Sequence, residues 1–217
     1  SPTVRKVLIY IANVDQIQII FYIVYFSKII EICYWYLHFE IECGRLATDR
    51  ALDFSEIQTI LAGKCKNLHV KYTDLAALHN NYALSDILPT KVNAGLCLLT
   101  ARLNSRVNRH WTVFLRHKNG KISFYDSLAL GPHTLSSYMN DGGYFADFIT
   151  RIRADVNRKK HQKNADFIKS CGLHCIARMV AFATQDLTNG EYDHWIASVN
   201  LSADLCVSFL TFIGHLS

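Results

Sequence analysis

Cys171 is the residue whose type and context best fit nucleophilic chemistry. It follows Ser170 and opens an apolar segment, 171–183, in which hydrophobic residues recur at helical spacing. A thiol reacts as its thiolate, and the pKa of a thiol falls at a helix N-terminus and beside an imidazole. The neighbouring Gly172 would leave room for the backbone of a substrate. The sequence therefore predicts a cysteine nucleophile at the start of a helix, with Cys175 in the core one turn further on.

An imidazole must act as the base, and His110 is the candidate because it stands before Trp111 at the start of an aromatic, β-branched segment. At the edge of a sheet, its side chain could reach a neighbouring helix. Asp126, at the end of the next such segment, could hold the tautomer of the imidazole and stabilise its charge. Taken alone, His110 would more often be a partly exposed structural histidine. The hypothesis therefore depends on whether the two side chains can meet.

The turn between the two segments decides that question. A β-hairpin is predicted from two aromatic segments and the glycine turn that joins them: 111–117, Asn119-Gly120 and 121–126. A two-residue loop would place His110 and Asp126 on opposite faces of the sheet. A three-residue loop, with Gly120 in the left-handed conformation, would oppose Asp126 to Thr112 and place it diagonally from His110 on one face, about 7–8 Å away. The triad hypothesis therefore requires the odd loop or a bulge.

Further elements must position these residues. The apolar periodicity and capping signals predict helices over 53–63, 144–156, 171–183 and 203–213, and a buried strand over 96–103. Asp53 or Ser55 would cap the first helix and Gly63 would end it, and Ser202 is the candidate cap of the last. The sequence predicts an α+β fold in which a mixed or antiparallel sheet of about five strands packs between helices, with Cys171 opening the central one.

Composition excludes several classes of protein. Of 217 residues, 50% are hydrophobic and 19% charged, with only 3 Pro and 10 Gly. This excludes a disordered tail, a collagen-like fibre and a Pro-rich linker. The 7 cysteines are irregularly spaced and include no C-x-x-C pair. They favour free thiols in a reducing compartment over structural zinc, and the chemistry proposed above requires no metal or other cofactor.

The net charge is +5, and its one dense basic run lies at 157–163. A solvated loop is the favoured interpretation of this run. The alternative is a weak nucleic-acid contact, which would use four cations: Arg158, Lys159, Lys160 and Lys163.

Residues 1–44 form a hydrophobic leader whose amino-acid composition differs from that of the globular domain predicted over 45–217. The stretch from 7 to 37 is rich in Ile, Tyr and Phe, but Lys28 and Glu31 interrupt it where charge is costly in a bilayer. Three interpretations stay open: an interfacial or anchoring helix, an element buried against the domain, and a non-native leader translated from AT-rich sequence upstream of the real start.

Three motifs occur in a specific order: His110-Trp111, then Phe124-Tyr125-Asp126-Ser127, then Ser170-Cys171-Gly172-Leu173-His174-Cys175. This set resembles the adenovirus-type processing cysteine proteases (adenain-like), within the wider Ulp/SUMO-protease group. The resemblance covers about Leu84 to Phe182. It implies a papain-like or adenain-like fold for a protease domain at 45–217, with the nucleophile at the N-terminus of the central helix.

The resemblance also implies a role for each residue of the site. His110 would be the general base, Asp126 the acid that orients it, and Cys171 the nucleophile that forms a thioester. The family places a Gln shortly before the Cys, whose amide joins the Cys backbone N–H in an oxyanion hole. Gln162 is preferred for that role by donor chemistry and reach, although it stands further from Cys171 than usual; Asn164 is the alternative.

A second His-Trp pair, His194-Trp195, follows the cysteine, which is the order used in papain. A base at His194 would leave Asp126 without a partner. His194 is therefore assigned to a surface or packing position.

The function implied is that of a thiol endopeptidase that processes viral precursor proteins, cutting after a small residue such as Gly, during particle maturation. Its location would be the virion and the interior of the host cell, in nucleus or cytoplasm, and a peptide or nucleic acid could act as activator. The alternatives are an isopeptidase that removes ubiquitin-like proteins, a catalytically silent binding module of the same fold, and a membrane-anchored adaptor built around the leader.

Overall fold

A computed structural model describes residues 52–62, 65, 67–103, 106–163, 169–199, 202–204 and 206–207. The leader at 1–44, the predicted domain boundary at 45, and residues Gly63 and Asn164 lie outside the described residues. The helices are α1 Phe54–Leu61, α2 Leu84–Ile87, α3 Pro132–Met139, α4 Tyr144–Arg151, α5 Cys171–Gln185 and α6 Asn189–Ser198. The strands are β1 Val70–Asp74, β2 Ala94–Leu103, β3 Arg106–Arg116, β4 Ile122–Tyr125 and β5 Asp155–Val156.

In the described part of the chain, five strands form one mixed sheet in the order β1-β2-β3-β4-β5. The central strands β2, β3 and β4 are antiparallel, and the edge strands β1 and β5 run parallel to their neighbours. Helices cover both faces, so the predicted α+β class with a mixed sheet of about five strands is confirmed. Among the described residues, no helix is long and apolar enough to cross a bilayer.

Alternation along the strands divides the core into two layers, because successive side chains of a strand point to opposite faces. Leu96, Trp111 and Val113 pack on one face with α1, α5 and α6. Cys97 and Phe114 pack on the other face with α3 and α4. The sheet therefore holds α5, and with it Cys171, against β3.

The β3–β4 hairpin has the register that the triad hypothesis requires. Val113 pairs with Tyr125, and the His117 N–H donates to the Lys121 carbonyl at 2.9 Å, which closes a three-residue loop. Gly120 has φ +80°, the left-handed conformation that such a loop favours at this position. The predicted odd loop is confirmed.

The helix predicted over 144–156 is too long. Helix α4 ends at Arg151, Arg153 adopts φ +51°, and Asp155–Val156 forms β5 beside β4. The left-handed Arg153 lets the Ala154 N–H reach back to the Ile149 carbonyl at 3.2 Å, a bond that closes the helix end without a glycine. Asp155 and Val156, which were predicted to be helical, pair instead with the edge of β4.

The other predicted elements are present. Asp53 caps α1 in a capping box with Glu56, the strand predicted at 96–103 lies within β2, and the helix at 171–183 lies within α5. Of the predicted last helix, Ala203, Asp204, Cys206 and Val207 are helical, and the other residues of 203–213 lie outside the described residues. Helices α2, α3 and α6 and strands β1 and β5 are additions that the sequence patterns did not predict.

The substitution Gly95→Ala is expected to lower the free energy of unfolding by about 1–3 kcal/mol. A Cβ at Gly95 would lie 2.6 Å from the Ile87 Cγ2 and 2.8 Å from the Ile87 carbonyl oxygen, so the backbone of α2 would have to move. Urea unfolding measures the effect. The control is Gly190→Ala in α6, where a Cβ meets nothing within 4 Å; it should raise stability by up to about 1 kcal/mol. If both variants change the free energy of unfolding by the same amount, the close approach of Ile87 to Gly95 is contradicted.

Candidate active site

His110 lies within β3, four residues after its start at Arg106, and pairs with Leu99 of β2. The prediction that His110 begins its strand is therefore wrong: β3 extends further because β2 pairs with it beyond the hairpin. On the opposite side, β4 ends at Tyr125. The edge of β3 is thus left open beside His110, where the start of α5 approaches it.

His110 lies between a carboxylate and a thiol. Its Nε2 donates to Asp126 Oδ1 at 2.6 Å, and the imidazole also hydrogen-bonds Cys171. Because Nε2 is engaged by the carboxylate, Nδ1 remains for the sulfur. The side chain of His110 is 14% exposed and that of Asp126 is 1% exposed. The structure thus brings together the three predicted residues at one edge of the sheet.

The carboxylate of Asp126 is fixed from several directions. Its Oδ1 accepts the Leu128 N–H and its Oδ2 accepts the Leu130 N–H, each at 2.9 Å. The buried amide of Asn157 accepts the Asp126 N–H and donates to the Asp126 carbonyl, both at 2.8 Å. Burial raises the pKa of Asp126, but His110 and the N–H groups of Leu130 and Leu128 together outweigh burial, and the net shift is downward. Asp126 is therefore an ionised, oriented partner for the imidazole.

The electrostatics of His110 and Cys171 favour an ion pair. Burial lowers the pKa of His110, but Asp126 and Cys171 outweigh it and raise that pKa to about 10. Burial raises the pKa of Cys171, but the hydrogen bond and charge of His110 and the N–H groups of Trp111 and Gly172 together outweigh burial, so the net shift is downward. A raised imidazole pKa and a lowered thiol pKa place a proton on His110 and the negative charge on the sulfur.

Two backbone groups also stabilise the thiolate: the N–H of Trp111 and the N–H of Gly172 both hydrogen-bond the sulfur of Cys171. Trp111 can do so because β4 has ended and no longer pairs with this part of β3. Cys175, one turn along α5, is fully buried and burial raises its pKa. Its predicted place in the core is confirmed.

Gly172 has a different role from the one that the sequence predicts. A Cβ there would lie 3.3 Å from the Leu52 Cβ, 3.4 Å from the Trp111 Cδ1 and 3.5 Å from the Ile57 Cδ1. The Trp111 indole also donates to the Leu52 carbonyl at 2.8 Å. The missing side chain therefore lets α1 and Trp111 pack against the start of α5, and the expectation that it leaves room for a substrate backbone is wrong.

Gln162 is buried beside the triad, held by the residue that follows Asp126. Ser127 Oγ donates to Gln162 Oε1 at 2.7 Å, and the Gln162 N–H donates to the Ser127 carbonyl at 2.9 Å. Because Ser127 binds the carbonyl end of the side-chain amide, the opposite NH₂ end is the one that can donate elsewhere. The role of Gln162 as oxyanion donor stays a prediction, and its alternative Asn164 lies outside the described residues.

The basic run at 157–163 alternates between buried and exposed side chains. Its cations, Arg158, Lys159, Lys160 and Lys163, are exposed, which fits the predicted solvated loop. Asn157, His161 and Gln162 are buried beneath them. Burial lowers the pKa of His161 to about 4, so this histidine is neutral at physiological pH, and its Nδ1 lies 3.0 Å from the Tyr125 hydroxyl.

His194, the alternative base, is exposed on α6, in agreement with its predicted surface position. In the described ranges, no group of three or more His, Cys, Asp or Glu side chains is arranged to hold a metal ion. No known family model matches the chain. No curated protein matches it either.

Proposed function

We propose that the protein is a thiol endopeptidase that uses Cys171, His110 and Asp126. The observation that carries this proposal is that one imidazole contacts both a buried carboxylate and a buried thiol at the start of a helix, with the pKa of the thiol lowered. Structural cysteines in cores have raised pKa values, as Cys175 does. A lowered value beside a raised histidine pKa is the arrangement of an activated nucleophile.

The chemistry would run in two halves. The Cys171 thiolate attacks the substrate carbonyl carbon, and the imidazolium of His110 gives its proton to the leaving amine as the peptide bond breaks and a thioester remains. His110 then takes a proton from water, whose oxygen attacks the thioester, and the acid leaves as the thiolate reforms. Asp126 stabilises the imidazolium throughout. The side-chain amide of Gln162 and the Cys171 N–H would bind the oxyanion.

The resemblance in motif order supports a narrower proposal: an adenain-like fold, and viral precursor proteins as substrates during particle maturation. Under this proposal the protease works in the virion and the host cell interior, cuts after a small residue such as Gly, and is open to a peptide or nucleic-acid activator. The mixed sheet with Cys171 opening α5 is compatible with that fold. The exposed cations at 158–160 provide a surface that a polyanion could contact.

The pH dependence of iodoacetamide labelling tests the catalytic proposal without a known substrate. In the native protein, the midpoint of Cys171 labelling should lie well below that of glutathione, because the imidazolium stabilises the thiolate. In His110→Ala, burial is no longer opposed by the imidazole, so the midpoint should rise to that of glutathione or above. Labelling is measured site by site by mass spectrometry.

Glutathione and Cys175 provide the references for this experiment. Glutathione reports an ordinary exposed thiol, and Cys175 reports a buried thiol of the same helix, which should label slowly at every pH that leaves the protein folded. If the midpoint for Cys171 is that of glutathione in both proteins, there is no activated pair. The silent binding module would then be favoured.

A further inference from the structure

Asp204, in the helical residues near the end of the described chain, is a second acidic residue beside the start of α5. Its Oδ1 accepts the Ser170 hydroxyl at 2.6 Å and His174 Nε2 at 3.0 Å. Its Oδ2 accepts the backbone N–H of Lys163 at 2.9 Å. Nothing in the local sequence around Asp204 marks it as part of a site.

The groups that bind Asp204 are the neighbours of the two proposed oxyanion donors. Ser170 directly precedes Cys171, and Lys163 directly follows Gln162. The Gln162 segment and the start of α5 are therefore both tied to one carboxylate group, each by a hydrogen bond to one of its oxygens. Ser127 fixes the carbonyl end of the Gln162 side chain, whereas Asp204 fixes the backbone beside it.

The burial and charge of Asp204 strengthen its hydrogen bonds to the Gln162 segment and to the start of α5. Its side chain is 18% exposed, and His174, which it binds, is fully buried in the first turns of α5. Burial raises the pKa of Asp204, but the hydrogen bonds from His174, Ser170 and Lys163 outweigh burial and lower it. The carboxylate is thus ionised near neutral pH, and hydrogen bonds to an ionised acceptor are the stronger kind.

We propose that Asp204 is a positioning residue that sets the distance between the Gln162 amide and the Cys171 backbone N–H, and so assembles the oxyanion site. This inference rests on the proposed function. Asp204 acts on these donors and not on the thiolate, because His110 and the N–H groups of Trp111 and Gly172 stabilise the sulfur independently. Loss of Asp204 should therefore slow reactions that form an oxyanion and spare reactions that do not.

Two reagents separate these cases. Acylation of Cys171 by N-acetylglycine p-nitrophenyl ester passes through an oxyanion, whereas alkylation by iodoacetamide displaces iodide at a saturated carbon and forms none. In Asp204→Asn, one acceptor oxygen is lost, so Lys163 and Ser170 cannot both stay bound as in the native protein. Acylation should slow by at least about tenfold, while alkylation near pH 6 should change less than about twofold. The Cys171→Ala protein measures the background reaction of each reagent with the rest of the protein.

A matched control is available at the other end of α5. Asp186 also accepts from a histidine, His117 Nδ1 at 2.8 Å, and from a backbone N–H, that of Lys118 at 3.3 Å. Asp186→Asn should therefore disturb a histidine bond and a backbone N–H bond of the same kinds and leave both rates within about twofold. Ser170→Ala, which removes a single bond to Asp204, should slow acylation less than Asp204→Asn and also spare alkylation.

The outcomes are distinguishable. If Asp204→Asn acylates at the native rate, or if acylation and alkylation fall together, the positioning role is overturned while the protease proposal stands. If the native protein itself is not acylated at Cys171, the proposed function fails and this inference fails with it. Selective loss of acylation in Asp204→Asn, without the same loss in Asp186→Asn, supports the inference.

Discussion

Cys171→Ala is expected to reduce hydrolysis of N-acetylglycine p-nitrophenyl ester to the rate measured without protein. The ester carries the glycine acyl group expected of the substrates, and no thioester can form once the sulfur is removed. The loss should be complete because the remaining groups of the site only orient, protonate or stabilise what the nucleophile produces. Release of p-nitrophenol, followed by absorbance, measures it.

Cys175→Ala is the matched control for this change. Both cysteines lie on α5, one turn apart, and both are buried, so both variants remove a sulfur from the same core cluster. Burial raises the pKa of Cys175 and keeps it a thiol, so its loss should leave hydrolysis within about twofold of native. Residual hydrolysis by Cys171→Ala, or equal loss in the two variants, would contradict the assignment of the nucleophile.

The parts of the site that could be predicted from sequence are those fixed by local backbone geometry. Gly120 selects a three-residue loop, that loop sets the register of β3 against β4, and the register decides that Asp126 lies on the same face as His110. The apolar periodicity after Cys171 likewise fixes the start of α5. Each step uses residues close together in the chain.

The sheet edges and helix ends were harder to predict because they depend on distant partners. Strand β5 has only two residues, Asp155–Val156, too few for a periodic pattern. It is a strand because the edge of β4 supplies its hydrogen bonds. Strand β1 is parallel to β2. Parallel strands are joined by a long crossover connection and not by a tight turn, so no turn motif in the sequence indicates their pairing.

The polar residues that support the site were not predicted for a related reason. Asn157 binds the backbone of Asp126 from 31 positions away, and Asp204 binds Ser170 from 34 positions away. An Asn in a basic run or an Asp in a helix is ordinarily solvent-exposed, so composition gives no signal. Only the fold reveals that these two side chains anchor the segments that carry the proposed catalytic residues.

Asp126→Asn is expected to lower acylation of Cys171 by about 10³–10⁴-fold. If the Asn oxygen takes the place of Oδ1, its NH₂ group faces the Leu130 N–H, and two donors oppose each other. If the amide is reversed, its NH₂ group faces both His110 Nε2 and the Leu128 N–H. The imidazole would then place its own proton on Nδ1, facing Cys171, which is the wrong tautomer for a base.

The same substitution should destabilise the fold by about 1–3 kcal/mol near neutral pH, because a buried donor loses its acceptor. The native pKa of Asp126 is lowered, so its ionised form stabilises the native state above the unfolded pKa of about 3.9, and that stability is lost as the pH falls through the native pKa. Asn does not titrate. The difference in unfolding free energy between native and Asp126→Asn proteins should therefore shrink on acidification from about pH 4 to about pH 2, below the unfolded pKa of Asp126.

Urea unfolding across that range measures the difference, and ester acylation near neutral pH measures the catalytic loss. Asp141→Asn is the control for a buried aspartate outside the site: Asp141 accepts the N–H groups of Gly143 and Phe145, each at 3.0 Å. It should also lose stability, because those donors lose an acceptor, but folded Asp141→Asn should keep acylation within about twofold. If Asp126→Asn and Asp141→Asn lose stability alike and both keep acylation, Asp126 supports the fold alone. If only Asp126→Asn loses acylation, its carboxylate orients the base.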